Sequence, residues 1–332
     1  MFAEQGCTMV FCSVRCREAA WSRFHFAGCQ GRMTEEQKKA YNKFIKHNWE
    51  HKGVNYSDTV FLAFRFLCMT ITNIRLHKKP LGIAYKSVSQ LIKAPLSLFQ
   101  FSYLLSDDAP NDQDEEVQLR KRWELFQKLR EQSVPSQGDD ATEEFLSFGI
   151  ELVDKILQFT EEERSCFTSS TWSELLGAVL LNGQERSPPS NYDYLKEVVR
   201  GMPGGLAAMN AFEEQVQEAG VDPQQLHYSS RGQGIYTIGC LFNHSCEPNL
   251  QVLYSCVNDE TLTVEAIRDI EPGEELLISY IDESLPYPDR QQQLYEHYLF
   301  TCRCPKCESE SHDWERVATK IGDHSPSISS TL

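Results

Sequence analysis

The chain has 332 residues, 41% of them hydrophobic, so it can bury a substantial core and has room for more than one domain. It contains no apolar run of 18 residues or more, which argues against a membrane span, and its first residues do not form a secretory signal. The net charge is −16, from 48 acidic and 32 basic residues. This balance disfavours direct binding to nucleic acid and suits a basic protein partner, although it also serves solubility alone.

The 12 cysteines concentrate at the two ends of the chain. Without a secretory signal we expect a reducing compartment, the cytoplasm and/or the nucleus, where clustered Cys and His indicate metal binding rather than disulfides. One cluster lies within residues 1–30 and the other within residues 302–307. Their candidate zinc ligands are Cys7, Cys12, Cys16, His25 and Cys29 at the first end, and Cys302, Cys304 and Cys307 at the second.

Residues 31–225, between the two clusters, have the pattern of a helical region. Apolar residues recur at helical spacing from Phe61 to Ile71, in residues 143–159 and 172–181, and in a last helix at 209–219. The polar residues 106–112 predict a loop, residues 117–131 a charged helix, and residues 188–190 a break.

From residue 226 the periodicity changes to that of short strands. Strands are predicted at residues 234–238, 250–256, 262–267 and 276–280, followed by a helix at 288–299 and a disordered tail over 309–332. The predicted fold class is therefore α+β, with a helical region followed by a small all-β core at 226–285 and a cysteine segment at 286–308.

Two separated motifs look like halves of one site. Residues 243–249 read Asn-His-Ser-Cys-Glu-Pro-Asn, and residues 302–307 read Cys-Arg-Cys-Pro-Lys-Cys. Together they supply Cys246 and three further thiolates, the number that a closed tetrahedral zinc site requires. A zinc ion there would fold the C-terminal stretch back over Asn243 and over Tyr280, which ends the strand Gly-Glu-Glu-Leu-Leu-Ile-Ser-Tyr, and would create a pocket.

These three strings closely resemble a SET domain with its post-SET zinc segment. The spacing of Cys7, Cys12, Cys16, His25 and Cys29 resembles the second half of a MYND zinc finger. A finger, a helical insert and a SET core form the layout of the SET-and-MYND lysine methyltransferases. The segment at 181–184 and the short C-terminal region are most similar to that family's divergent fifth member and its plant relatives.

The resemblance implies a role for each matching residue. Tyr280 and Tyr298 would line the channel in which a lysine accepts a methyl group from S-adenosylmethionine. Asn243, His244, Tyr280 and Phe300 would contact that methyl donor. The zinc ligands of the post-SET segment would be Cys246, Cys302, Cys304 and Cys307.

The chain departs from the family pattern at its N-terminus. The Gly-x-Gly strands that hold the methyl donor would precede residue 1, so an N-terminally truncated product is expected. In the family's cross-braced finger, Cys12 and Cys16 share one zinc while Cys7, His25 and Cys29 share the other, and both sets here are short of ligands. A single rearranged site of Cys12, Cys16, His25 and Cys29 is the alternative.

The resulting hypothesis is a monomeric, S-adenosylmethionine-dependent protein-lysine N-methyltransferase acting on histones or other basic proteins. The alternative is a zinc-dependent protein-interaction scaffold whose catalysis is impaired because the N-terminal strands are absent.

Overall fold

The computed structural model describes residues 6–7, 9–99, 123–124, 127, 140–186, 191–222, 232–254 and 261–322. The chain forms two compact units, one of Met1–Asn182 with Tyr280–Leu332 and the other of Gly183–Ser279. The loop predicted at 106–112, nearly all of the helix predicted at 117–131 and the break at 188–190 lie outside the described residues.

Helices dominate the first unit, whereas the described part of the second contains both helices and short strands. The α-helices of four residues or more in the described part of the chain are α1 Val14–Ala20, α2 Glu35–Lys46, α3 Ser57–Arg75, α4 Leu81–Ala84, α5 Lys86–Ser89, α6 Asp140–Leu157, α7 Glu161–Cys166, α8 Ser169–Asn182, α9 Asn191–Arg200, α10 Gly205–Glu218, α11 Tyr287–Tyr298 and α12 Pro305–Gly322. A π-helical turn, Trp21–His25, follows α1 directly. The helices predicted at 143–159, 172–181, 209–219 and 288–299 are confirmed as α6, α8, α10 and α11, with ends displaced by a few residues.

The first unit has an apolar core between α2, α3, α6 and α8, which we call the helical body. Helix α2 begins at a capping box, in which the Thr34 hydroxyl accepts from the Gln37 N–H at 3.2 Å and the Gln37 side chain accepts from the Thr34 N–H at 2.9 Å. Gln37 also donates to the carbonyl of Ile156 at 2.7 Å, which ties α2 to α6. Ile71 in α3 and Leu176 in α8 are fully buried, as the apolar periodicity predicts.

The strands are short and form four two-stranded sheets within the described residues. They are β1 Glu50–His51, β2 Val54–Asn55, β3 Gln184–Arg186, β4 Gly232–Gly234, β5 Asn243–His244, β6 Leu250–Tyr254, β7 Leu262–Ala266 and β8 Leu277–Ile278. The pairs β1–β2, β3–β4 and β6–β7 are antiparallel, whereas β5 and β8 are parallel, with Asn243 opposite Leu277 and His244 opposite Ile278.

One strand prediction is wrong in its position. The strand expected at 234–238 ends at Gly234, and a 3-10 turn occupies Gly239–Leu241. The side chain of Ile238 is 72% exposed, so this apolar residue is not buried as the strand prediction required.

The expectation of a disordered tail from residue 309 is wrong as far as residue 322. Helix α12 continues through this segment to Gly322. The physical reason is an ion pair between Glu310 and the buried Arg290 at 2.6 Å, which anchors α12 on α11. Residues 323–332 lie outside the described part of the chain. Among the described residues, no helix combines the length and apolar character needed to cross a bilayer.

Candidate functional site

The N-terminal cluster brings Cys7, His25 and Cys29 together. Their donor atoms all lie within 4.8 Å of one another, and the Cys7 Sγ lies 3.3 Å from the His25 Nε2. Two ligands of one tetrahedral zinc, with bonds of about 2.0–2.3 Å, lie about 3.5 Å apart. The three side chains therefore fit a single zinc ion.

The π-helical turn holds His25 in a buried position. The rings of Phe11 and Trp21 meet the imidazole edge-on at 5.6 and 6.0 Å, and His25 is 3% exposed. Burial, and secondarily the charge of Arg65, lower the pKa of His25. The neutral imidazole is the form that binds a metal, so this environment favours ligation.

Cys12 and Cys16 form a separate, exposed pair. Their Sγ atoms are 3.1 Å apart, and α1 is capped at Ser13, whose hydroxyl accepts from the Cys16 N–H at 3.1 Å. The structure thus groups His25 and Cys29 with Cys7, as in the cross-braced pattern. A single site of Cys12, Cys16, His25 and Cys29 is not among the clusters that the described residues form.

The C-terminal cluster is formed in the first unit by the connection from α11 to α12 and by the first turn of α12. The Sγ atoms of Cys302, Cys304 and Cys307 are all within 4.8 Å of one another, and Cys302 and Cys307 are buried. The Cys304 N–H donates to the Cys302 Sγ at 3.4 Å. Three soft sulfur donors at this spacing suit zinc.

Cys246 belongs to the second unit, where it is 2% exposed and its Sγ lies 3.4 Å from the His244 Nε2. Asn243 and His244 form β5, beside β8. The Asn243 amide donates to the Glu275 carboxylate at 2.7 Å. The two residues predicted to contact the methyl donor, Asn243 and His244, therefore lie on a strand that pairs in parallel with β8.

Asn249 is a residue whose role the sequence analysis missed. It is 1% exposed, and its amide donates to the Glu275 carbonyl at 2.8 Å and the Glu274 carboxylate at 3.0 Å. Its side-chain oxygen accepts from the Leu277 N–H at 2.8 Å. Asn249 thus fixes the Gly-Glu-Glu turn to β8. The only available signal was its place at the end of the 243–249 string.

Three aromatic residues predicted to line the site lie together in the first unit. The rings of Tyr280 and Tyr298 have centroids 4.8 Å apart, and Phe300 meets Tyr280 edge-on at 6.4 Å. The Tyr298 hydroxyl donates to the Tyr280 carbonyl at 3.4 Å. Leu299, with φ of 62°, ends α11 in the left-handed conformation and turns the chain between the two neighbouring rings.

The half-buried rings of this group leave aromatic surface in contact with solvent. Aromatic faces attract cations, and a sulfonium or an approaching ammonium would experience that attraction. The group can therefore bind a cationic centre and orient a polar atom through the tyrosine hydroxyls.

The chain is similar to known proteins over much of its length. Residues 22–281 match the SET domain family. The histone-lysine N-methyltransferase ATXR2 of Arabidopsis thaliana is 27% identical over 92% of this chain and 62% of its own length. The human protein-lysine N-trimethyltransferase SMYD5 is 24% identical over 92% of this chain and 66% of its own length.

A shorter match has higher identity. The SET domain and MYND-type zinc finger protein 6 of Schizosaccharomyces pombe is 42% identical over 28% of this chain and 19% of its own length. The chain thus spans less than two thirds of the length of each of these relatives. The family match covers well over half of the chain, and the Schizosaccharomyces pombe relative is named for both a SET domain and a MYND-type zinc finger. The chain belongs to the SET domain family, and it is similar to the SET-and-MYND protein SMYD5 and to the plant protein ATXR2.

Proposed function

We propose that this chain is a protein-lysine N-methyltransferase that uses S-adenosylmethionine as methyl donor. The observation that carries the proposal is the packed group of Tyr280, Tyr298 and Phe300 in a SET family member. Relatives that match 92% of the chain are named as lysine methyltransferases.

The aromatic group suits the difficulty of the reaction. A free lysine has a pKa of about 10.4, so presenting it as the neutral amine at pH 7 costs about 4.6 kcal/mol. Apolar ring faces lower that cost by desolvating the ammonium. The bound donor supplies an electrophilic methyl group on a sulfonium. The hydroxyls of Tyr280 and Tyr298 are assigned the task of orienting the amine nitrogen.

The remaining donor contacts are assigned by resemblance. Asn243 and His244 on β5 are proposed to contact the donor, and Phe300 is proposed to pack on its adenine. Strands β4–β8 are proposed to belong to the small β core at 226–285, after a partial finger at 1–30 and a helical insert at 31–225.

Zinc is the proposed metal of both cysteine clusters. Cys302, Cys304 and Cys307 would bind it in the segment 286–308, with Cys246 as the fourth ligand by resemblance. The N-terminal segment would use Cys7, His25 and Cys29 at one ion and Cys12 and Cys16 at another. The donor distances in each cluster support this assignment.

The proposed substrate is a histone or another basic protein that carries the target lysine, bound by a monomeric enzyme in the cytoplasm and/or the nucleus. The net charge of −16 supports a basic partner, and ATXR2 is named as a histone-lysine enzyme.

The test combines donor binding and methyl transfer on the purified chain. Calorimetry should show micromolar binding of S-adenosylmethionine, and radiolabelled methyl groups should appear on lysines of histone or ribosomal-type basic peptides. Bound zinc without donor binding would reject the enzyme for this chain and support the scaffold alternative. Donor binding without transfer to any basic peptide would instead reject the substrate class.

A further inference from the structure

Helix α11 buries two adjacent polar residues against the C-terminal cysteine cluster. Arg290 and Gln291 are each 1% exposed. Removing a guanidinium from water costs several kcal/mol unless its partners compensate. The partners of these two side chains therefore indicate what their burial serves.

The guanidinium of Arg290 lies between a carbonyl, a carboxylate and a thiol. Its Nη1 donates to the Leu285 carbonyl at 2.5 Å, and its Nη2 donates to the Glu310 carboxylate at 2.6 Å. The same Nη2 lies 3.7 Å from the Sγ of Cys307, which is 1% exposed. A fixed positive charge thus faces a buried sulfur in the cluster.

Gln291 holds the backbone of another cysteine. Its Nε2 donates to the Cys302 carbonyl at 3.0 Å, and its Oε1 accepts from the Cys302 N–H at 2.9 Å. This paired contact leaves the Cys302 peptide units little freedom to rotate. Consecutive residues of one helix therefore contact the first and last cysteines of the motif.

A zinc ion bound by three thiolates has a net charge of −1, and a fourth thiolate would make it −2. In a buried site this excess is unfavourable unless a nearby donor or cation offsets it. N–H groups and cations directed at the sulfur atoms are the usual means of doing so.

We propose that Arg290 is a positioning residue of this cluster, and that its contact with Cys307 raises the cluster's affinity for zinc while Gln291 fixes Cys302 for ligation. The inference rests on the proposal that Cys302, Cys304 and Cys307 bind zinc. The competing explanation is that Arg290 only ties α11 to α12 through Glu310.

Two matched variants of the full chain separate these explanations. Arg290→Met removes the charge facing Cys307 together with the ion pair, whereas Glu310→Gln removes the ion pair and leaves the guanidinium beside the sulfur. Arg290→Met should weaken zinc binding by about 10- to 100-fold. Glu310→Gln should change it by less than about threefold.

Zinc affinity is measured by competition with a chromogenic chelator. Cobalt substitution provides a second readout through thiolate-to-cobalt absorption, and the part of that absorption lost in Cys307→Ser belongs to the C-terminal cluster. Zinc release from the N-terminal cluster should be unchanged in both variants and serves as the internal reference. Equal losses of zinc affinity in Arg290→Met and Glu310→Gln would overturn the proposal and show that Arg290 only links α11 to α12.

Arg290→Lys tests the proposal if Arg290→Met does not fold. The lysine ammonium keeps the charge but cannot contact Leu285, Glu310 and Cys307 together, so a loss of several-fold is expected. Wild-type affinity in this variant would overturn the proposal. Absence of cobalt–thiolate absorption in the wild-type chain would instead reject zinc binding itself.

Discussion

The helical body and the segments that carry the site residues are stabilised by different interactions. In the helical body, the side chains of Trp49, Ile71 and Leu176 are fully buried, and the interior is apolar and aromatic. In the site segments, which we define as residues 243–249, 273–280 and 287–307, the 1%-exposed residues include Asn249 and Arg290, whose polar atoms contact neighbouring backbone and side chains.

For the strands of the site segments, the difference follows from the length of the local elements. Helices of 12 to 19 residues bury continuous apolar stripes, whereas β5 and β8 are two residues long and bury little surface. Directional hydrogen bonds must then fix the backbone that presents the site. We therefore expect mutations in the helical body to change mainly stability, and mutations in the site segments to change mainly geometry and function.

The largest expected effect on stability comes from Trp49. Its indole N–H donates to the Phe44 carbonyl at 2.9 Å, and its ring packs 5.0 Å from the Phe44 ring and edge-on to Phe145 at 5.9 Å. Trp49→Ala should lower the free energy of unfolding by about 3–5 kcal/mol in denaturant titrations. Trp49→Phe, which keeps an aromatic ring, should cost about half as much. A change below about 1 kcal/mol in the alanine variant would contradict an apolar origin of stability.

Tyr280→Phe should change catalysis and leave stability almost unchanged, the opposite of Trp49→Ala. Loss of the hydroxyl should lower methyl-transfer turnover by about 100-fold, because one oriented polar contact at the reacting centre is removed. The unfolding midpoint should stay close to wild type, since the aromatic packing on Tyr298 remains. Tyr41→Phe, in the helical body, is the control and should keep wild-type turnover. Unchanged turnover in Tyr280→Phe would show that Tyr280 is wrongly assigned.

Asn249→Ala tests directly whether side-chain hydrogen bonds fix the backbone of the site segments. It removes hydrogen bonds to Glu274, Glu275 and Leu277 and leaves buried partners unsatisfied, which should cost about 2 kcal/mol. Binding of S-adenosylmethionine should weaken as well, because β8 pairs with the strand that contains Asn243 and His244. Gln251→Ala, an exposed residue nearby in the sequence, should change stability by less than about 0.5 kcal/mol. Equal effects of the two substitutions would contradict the role of Asn249.

The sequence predicted the helical body well because its signal is local. Apolar periodicity within α6 and α8 reflects burial on one face, so their positions could be read to within a few residues. Ile238 misled the strand prediction because the sequence does not distinguish an exposed apolar residue from a buried one.

The sequence predicted the motifs that carry the site, but it did not predict the hydrogen bonds that hold those motifs in place. Asn249 hydrogen-bonds to residues 25 to 28 positions away, and Gln291 to a residue 11 positions away. Such pairs have no periodic pattern in a single sequence. The helix after residue 309 was missed for the same reason, since Glu310 depends on Arg290, 20 positions earlier.

The smallest expected effect is a pH dependence confined to the turn before β8. The hydrogen bond from Arg268, followed by the Glu271 N–H and the Asn249 amide, lowers the pKa of Glu274 from its ordinary value of 4.5 to about 2. Because the folded-state pKa is below the unfolded one, the stabilisation is complete above pH 4.5 and is lost as the pH falls toward 2.

Glu274→Gln should therefore have a thermal midpoint a few degrees below wild type at pH 7, and this difference should disappear near pH 2. The effect is small because Glu274 and Arg268 lie near the surface, where solvent screens the pair. Glu271→Gln, which keeps its backbone N–H contact with Glu274, should retain the wild-type acid dependence. A midpoint difference between wild type and Glu274→Gln that stays constant from pH 7 to pH 2 would mean that the charge of Glu274 does not stabilise this turn.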